Sequence, residues 1–184
     1  MFTKISQEAF NEIQVDAGVI LLNFDPANPV EPADADIVTA TTGGITINCT
    51  PTYSDWAADI DNCPPNMKEF KHLDGWDCNI QTTALGTSAR LIKLSLGAAD
   101  IDSQDGTKII PRRKLNQIDF ESSLWWVGDK ADGGLVAVQI LNALSTAGFS
   151  LKTAKDGKGN ISLTITGHIS INNQNVVPMV FYTT

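Results

Sequence analysis

The sequence has few of the residues that hold small extracellular proteins together. It contains three cysteines in 184 residues, an odd number, and no C-x-x-C pair. Disulfide frameworks and structural zinc sites usually show paired, closely spaced cysteines, so neither is expected. The two histidines, His72 and His168, lie far apart, and neither has a metal-binding residue four positions later. We therefore expect no metal ion and no cofactor.

Sequence motifs of common enzyme classes are also missing. There is no G-x-S-x-G, no H-E-x-x-H and no glycine pattern of a phosphate-binding loop. Asp59 and Asp61 form a carboxylate pair of the kind that glycosidases use, but any acidic protein offers such pairs. The sequence favours a protein that is not an enzyme.

Long apolar runs and excess positive charge are absent as well. No segment approaches the roughly 20 apolar residues that span a bilayer, so no membrane insertion is expected. The residues after Met1 lack the apolar stretch of a secretory signal, which predicts synthesis in the cytoplasm. The formal net charge is −8 and the pI is about 4.6. Such an acidic surface should repel nucleic acid.

Alternating apolar and polar residues are the clearest pattern that is present. In "NISLTITG" the aliphatic residues alternate with Ser162, Thr164 and Thr166, which predicts a strand with one buried face. Asp156-Gly157 and Gly159-Asn160 suit the tight turn before it. The sequence thus predicts a long hairpin over residues 143–170, with these residues in the core: Phe149, Ile161, Leu163 and Ile165.

One segment, "GTSARLIKLSLG", has the features of a short helix. Thr87 or Ser88 can cap its start, and Gly97 can end it. Its apolar stripe, formed by Leu91, Ile92 and Leu94, is the expected partner of the buried strand face.

The remaining segments predict more strands and two long loops. "MKEFKHLDGWDCNIQT" is expected to form a strand, an Asp-Gly turn and a strand, and "LWWVGDKADGGLVAVQIL" a second hairpin. "NVVPMVFYTT" is expected to form a last strand, in which Pro178 indicates an edge or a bulge position. Residues 25–36 and 50–66 are expected loops, and residues 1–11 an arm or a short helical lead-in. The fold class is mainly β: a β-sandwich or partly closed barrel with one short flanking α-helix, in a single domain over residues 1–184.

Two stretches resemble the tail tube (major tail) proteins of long-tailed, non-contractile bacteriophages. "ATTGGITINCTPTYSDW" is similar to their front segment, in which a Gly-rich turn leads into a strand and a Pro-x-Tyr loop. "VAVQILNALSTAGFSLKTAKDGKGNISLTITGHIS" resembles their C-terminal half, and between the two "WDCNIQT" leads into one short helix that ends in "LG". The likeness spans residues 12–182. Cys63 and the Trp125-Trp126 pair depart from it.

The resemblance implies a structural virion protein. Six subunits would join into a ring, and rings would stack into a tube that surrounds the tape measure protein, contacts other tail proteins and later conducts DNA without binding it tightly. The chain would be made in the cytoplasm of a bacterial host and end in the virion tail. The 50–66 loop is the expected contact with a neighbouring subunit or ring, through Tyr53, Asp55, Trp56, Asp59, Asp61, Pro64 and Pro65.

Two other functions fit the sequence. A carbohydrate-binding β-sandwich module could use Trp56, Trp76, Trp125 and Trp126 as a stacking platform for sugars. The inner tube of a contractile injection device would share the ring architecture. For either kind of tube we expect a lumen wall that is neutral or acidic, formed by the hydroxyl-rich and acidic faces of the long strands.

Overall fold

The computed structural model describes residues 4–184, and their structure is mainly β, as predicted. Two α-helices are present: α1 (Gln7–Asn11), within the segment predicted as an arm or a short helical lead-in, and α2 (Ala89–Leu96), the predicted flanking helix. Residues 1–3 of that arm lie outside the described residues. The strands are β1 (Gln14–Leu21), β2 (Thr41–Asp55), β3 (Lys71–Ala84), β4 (Ala99–Ile101), β5 (Ile109–Pro111), β6 (Glu121–Lys130), β7 (Leu135–Ser145), β8 (Leu151–Lys152), β9 (Asn160–Thr166) and β10 (Met179–Thr183).

Eight of these strands form one antiparallel sheet, and β7 divides it into two parts. The order is β1-β6-β7-β9-β3-β2, with β10 on β7 and β8 on β9, while β4 and β5 pair separately. Asn142 in β7 has a positive φ of 48°. β7 pairs with β10 as far as Ile140 and with β6 as far as Ala143, and Leu144 and Ser145 then pair with β9. We call β1-β6-β7-β10 sheet I and β2-β3-β9-β8 sheet II. The arrangement of the two sheets as a β-sandwich or a partly closed barrel stays a prediction.

Both parts of the sheet contribute to one core. Ile161, Leu163 and Ile165 on β9 are buried, and they cluster with Leu91 of α2. The Ser88 hydroxyl caps α2 by accepting from the Leu91 amide at 3.2 Å, and Gly97 ends the helix with a φ of 71°. Ile92 and Leu94 are only half-buried.

Phe149 is not a core residue, contrary to the sequence prediction, because 39% of it is exposed. The strand expected around it is reduced to β8, whose two residues, Leu151 and Lys152, are also exposed. The chain leaves sheet II after Ser145, so Phe149 lies in an irregular segment. Alternation alone does not show how far a strand stays paired.

The outer face of sheet I carries a second, smaller apolar cluster. Successive strand residues point to opposite faces, and Trp125 and Trp126 accordingly enter different clusters. Trp126 lies in the main core and donates to the Ala17 carbonyl at 3.0 Å. Trp125 contacts Tyr182 and Phe24, which begins the segment leading into the 25–36 loop. The first of the two predicted loops is thus attached to its own chain at both ends, by Phe24 just before it and by the Ala35 carbonyl, which accepts from Arg90 at 2.6 Å.

Two predictions about β2 and β3 are wrong. The expected Asp74-Gly75 turn does not occur, since β3 continues through both residues to Ala84. The expected 50–66 loop is paired strand as far as Asp55, so Tyr53 and Asp55 belong to β2. Together these strands form a single hairpin that is much longer than the sequence pattern indicated.

Candidate functional site: an extended hairpin arm and a polar sheet face

The β2–β3 hairpin extends beyond the core of the protein. Its register runs from Thr41 opposite Ala84 to Asp55 opposite Lys71. The last cross-strand pair with a fully buried member is Cys49 and Cys78, of which Cys78 is 1% exposed. Six residues of β2 follow, a length of about 20 Å at about 3.3 Å per residue. We call residues 50–77 the arm.

One face of the arm continues the apolar face of the core. Residues directly opposite each other in an antiparallel pair share a face, and that face recurs every second residue. The buried pairs Ile47–Ile80 and Cys49–Cys78 are therefore followed on the same face by Pro51–Trp76 and Tyr53–Leu73. Yet Tyr53 is 55% exposed, Leu73 44% and Trp76 36%. We call Pro51, Tyr53, Leu73 and Trp76 the arm stripe.

A β-bulge on β3 keeps this stripe apolar. Thr52 pairs with Gly75 but Tyr53 pairs with Leu73, so Asp74 is the extra residue. Without the bulge, Asp74 would lie opposite Tyr53 on the apolar face. Instead its carboxylate accepts a hydrogen bond from the Ser54 hydroxyl at 2.9 Å. The bulge thus moves a charge away from the stripe.

At the base of the arm the stripe borders a shallow apolar groove. Cys49 and Trp76 line one side of it, and Val177, Met179 and Phe181 of the last segment line the other. Met179 is buried, but Phe181 is 58% exposed. Phe181 therefore extends the exposed apolar surface from the arm onto β10.

The tip of the arm, residues 56–70, is organised around Asp55. Its two carboxylate oxygens accept from the backbone amides of Ala57 at 3.0 Å and Asn66 at 2.7 Å. The Asn66 and Ala57 amides hold the pKa of Asp55 below its ordinary value of 3.8. Lys71 donates to the Asn66 side chain at 2.8 Å. Asp55 was predicted as a contact residue, but both of its carboxylate oxygens accept hydrogen bonds from the tip of its own chain.

Apart from Tyr53, which belongs to the arm stripe, the other predicted contact residues lie on the tip and are exposed. Trp56 stacks on His72 with ring centroids 4.6 Å apart, on the face opposite to the stripe, and is still 61% exposed. The remaining exposed members of the set are Asp59, Asp61, Pro64 and Pro65.

Opposite charges lie at the two ends of sheet II. Asn79 pairs with Thr166 and Ala84 with Ile161, so the turn that precedes β9 lies at the end of the sheet away from the arm. That turn and the adjoining strand carry Lys152, Lys155 and Lys158, all exposed. Across residues 4–184, neither these lysines nor Asp59 and Asp61 form an ion pair. The acidic tip and the basic turn are therefore available for ion pairs with another molecule.

The outer face of sheet II is polar and nearly uncharged. Asn79 accepts from the side-chain amides of Asn48 and Gln81, each at 3.0 Å. Asp77 is the only charged member of the set from β2, β3 and β9, whereas Lys152 of β8, opposite Asn160, lies on the same face at the margin next to the basic turn. The members are Thr46, Asn48, Thr50, Asp77, Asn79, Gln81, Thr83, Ser162, Thr164 and Thr166.

The four tryptophans do not form a common platform. Trp125 and Trp126 are buried on opposite faces of β6, and Trp56 and Trp76 lie on opposite faces of the arm. A sugar could not stack on these rings together. Neither a group of three potential metal ligands nor a helix long and apolar enough to cross a membrane occurs within residues 4–184.

Sequence reasoning identified the tip and expected hydroxyl-rich strand faces, but it missed the stripe and did not assign the polar face to particular strands. The alternation that defines both was visible in "ITINCTPTYSD", but Pro51 suggested a loop. The bulge at Asp74 disguised the continuation of β3. No protein-family model matches the chain, and a search of curated proteins likewise found no match.

Proposed function

We propose that this protein is a tail tube subunit of a long-tailed bacteriophage or prophage, a structural protein that assembles with copies of itself. Six copies would form a ring, and stacked rings would enclose the tape measure protein and later conduct DNA. The observation that carries the proposal is the arm stripe. It is an exposed apolar surface that extends beyond the core of the protein, and such surfaces mark contacts with another molecule.

The sheet edges support lateral assembly into a ring. Within residues 4–184, β2 pairs only with β3, and β10 pairs only with β7. Edge strands present unpaired backbone groups that pair readily with another chain. The stripe and Phe181 lie next to these two edges, so one neighbour could contact both the backbone and the apolar side chains.

The charge distribution supports stacking in one direction. The acidic tip and the basic turn lie at opposite ends of sheet II. A contact between different patches of identical subunits is heterologous, and it generates an open filament when the rotation does not close. Asp59 and Asp61 of one copy would contact Lys155 and Lys158 of the next copy. The line through these successive contacts would be the axis of the tube.

The polar face of sheet II is the best candidate for the lumen wall. DNA moves through a passage easily when few cations bind its phosphates, because each neutralised phosphate adds salt-dependent affinity. Hydroxyls, amides and a single carboxylate meet this requirement over β2, β3 and β9, and the one lysine of the face, Lys152 on β8, lies at its margin. The inner tube of a contractile device would share these features, and a sheath protein bound to the outside would distinguish it.

A pair of adjacent substitutions tests the proposal. Tyr53→Asp places a charge on the arm stripe, whereas Thr52→Asp places the same charge on the opposite face of the same strand. Light scattering after size exclusion, followed by negative-stain microscopy of concentrated protein, should show rings or tubes for the wild type and Thr52→Asp. Tyr53→Asp should remain monomeric, with an unchanged unfolding midpoint.

The outcomes separate the alternatives. Equal assembly by both variants would remove the stripe from the contact and with it the main support for the proposal. A monodisperse monomer that binds sugars on a glycan array would favour the carbohydrate-binding module instead.

A further inference from the structure

Cys49 and Cys78 lie opposite each other at the base of the arm. They are a directly paired position of β2 and β3, and their sulfur atoms are 3.4 Å apart, with both thiols free. Opposite residues in antiparallel strands have Cα atoms roughly 4.5–5.5 Å apart, which falls within the range that disulfides span. A bond of about 2.05 Å therefore requires only a small approach of the two side chains.

The two thiols differ in access. Cys49 is part-exposed and lines the apolar groove beside Trp76, whereas Cys78 is 1% exposed. The third cysteine, Cys63, is in the tip and contacts the Met67 sulfur at 3.5 Å. Cys63 is part-exposed as well, but it lies in the tip, away from the other two. Of the paired thiols, Cys49 is thus the one that an oxidant in solution reaches, and Cys78 is the thiol beside it.

We propose that Cys49 and Cys78 are a modification site, at which a small disulfide oxidant such as oxidised glutathione closes a cross-strand disulfide. The Cys49 thiolate attacks the oxidant, forms a mixed disulfide and releases one glutathione thiolate. The Cys78 thiol then loses its proton and attacks the Cys49 sulfur, which releases the second glutathione. Two protons and two electrons leave the protein, and the oxidant is reduced to two thiols.

The second step has a characteristic pH dependence. Burial, followed by the hydrogen bond and charge of Cys49, raises the pKa of Cys78 to about 12. The hydrogen bond and charge of Cys49 are lost once it is a mixed disulfide, but burial, the largest cause, remains and keeps the pKa of Cys78 above its ordinary value. Closure of the mixed disulfide is therefore slow at neutral pH and accelerates as the pH rises, since the thiolate is the nucleophile.

The disulfide would bind the base of the arm into a covalent loop. It would enclose residues 50–77, and such a crosslink restricts the unfolded chain more than the folded one. Bacterial cytoplasm keeps thiols reduced, whereas the medium outside is oxidising. Closure after release from the host rests on the proposed function, but the bond itself rests only on the geometry of the pair.

The test uses the full chain with oxidised glutathione at pH 8, followed by alkylation, intact mass and peptide mapping. We expect the loss of two of the three thiols, a crosslinked 49–78 peptide, alkylated Cys63, and a faster reaction at higher pH. Cys63→Ser should give the same crosslink, and Cys49→Ser should keep Cys78 as a free thiol.

A product linked through Cys63, a crosslink between two chains, or a stable mixed disulfide at Cys49 would overturn the inference, as would three unreacted thiols. The assay needs no assembly, so a monomer that closes the bond upholds it even if tubes never form.

Discussion

Tyr53 and Leu73 lie directly opposite each other on the face that the core occupies farther along the same two strands, yet both are exposed. They are the second pair on this face beyond Cys49 and Cys78, past the last residues of these strands that pack in or against the core. The β-bulge at Asp74 keeps this face of the arm apolar, because it turns the Asp74 side chain away from the arm stripe. The bulge keeps this exposed pair apolar, and we interpret the pair as one side of a contact with another molecule.

Charge exchange between the two ends of sheet II should control stacking. Asp59→Lys with Asp61→Lys, or Lys155→Glu with Lys158→Glu, is expected to shorten tubes because like charges then meet. A mixture of the two double variants should recover part of the length, and added salt should shorten wild-type tubes, since screening acts over about 8 Å at physiological ionic strength. Tube lengths in negative stain provide the measurement.

Glu31→Lys with Asp34→Lys is the matched control for this exchange, because it makes the same charge change in the exposed 25–36 loop. It should leave tube length unchanged. If the mixture of complementary variants fails to recover, the tip and the turn do not meet.

The polar face of sheet II should not bind DNA. Assembled wild-type tubes are expected to show no micromolar affinity for duplex DNA at low salt. Thr164→Lys would place a cation on this face in every subunit and should introduce binding that weakens with salt, because phosphate contacts release counterions. Fluorescence anisotropy with labelled DNA measures both. Ser103→Lys, on an exposed loop outside the face, is the control, and equal binding by both variants would argue against a lumen at this face.

Core substitutions should follow burial and not alternation. Leu163→Ala removes a side chain that is 1% exposed and should lower the free energy of unfolding by about 2–5 kcal/mol. Phe149→Ala should change it by about 0.5 kcal/mol or less, as exposed positions generally do. Urea denaturation of the monomers gives both values. A large loss at Phe149 would show that the 146–150 segment packs more tightly than the structure shows.

The tip should lose order in acid. The Asp55 carboxylate is held by two backbone amides, and its folded pKa lies below the ordinary value of 3.8. Its contribution is therefore fully present above 3.8 and is lost as the pH falls through the lower folded value. Protection factors of the Ala57 and Asn66 amides, measured by hydrogen exchange, should decrease there.

Asp55→Ala should abolish this protection at every pH, whereas Asp59→Ala, which removes another carboxylate of the tip, should preserve it. Persistent protection in Asp55→Ala would mean that the turn geometry is sufficient without the side chain.

Local pattern was sufficient for the mainly-β class and for several elements. Ser88 and Gly97 bound α2 where capping preferences placed them. The aliphatic residues of β9 are buried, as period two requires. The Trp125-Trp126 pair lies in the hairpin predicted from its flanking turn. These features depend on residues that are close together in the sequence, so they can be predicted from the sequence alone.

The arm could not be found in this way. Pro51 and the Asp74-Gly75 dipeptide carry local turn preferences, but pairing along two long strands outweighs them, and a bulge absorbs the extra residue. The exposed state of Phe149 likewise depends on where pairing stops. Strand length is a property of the partner strand as much as of the strand itself.

The sequence by itself therefore determined which residues alternate, where the helix begins and ends, and that the surface is acidic. Only the tertiary structure decided which part of each apolar face is covered. Sheet I ends before the arm does, and it leaves Tyr53, Leu73 and Trp76 uncovered while Ile47 and Ile80, of the same pattern, pack in or against the core. Burial depends on what lies opposite a face, and that is fixed by strands distant in the chain.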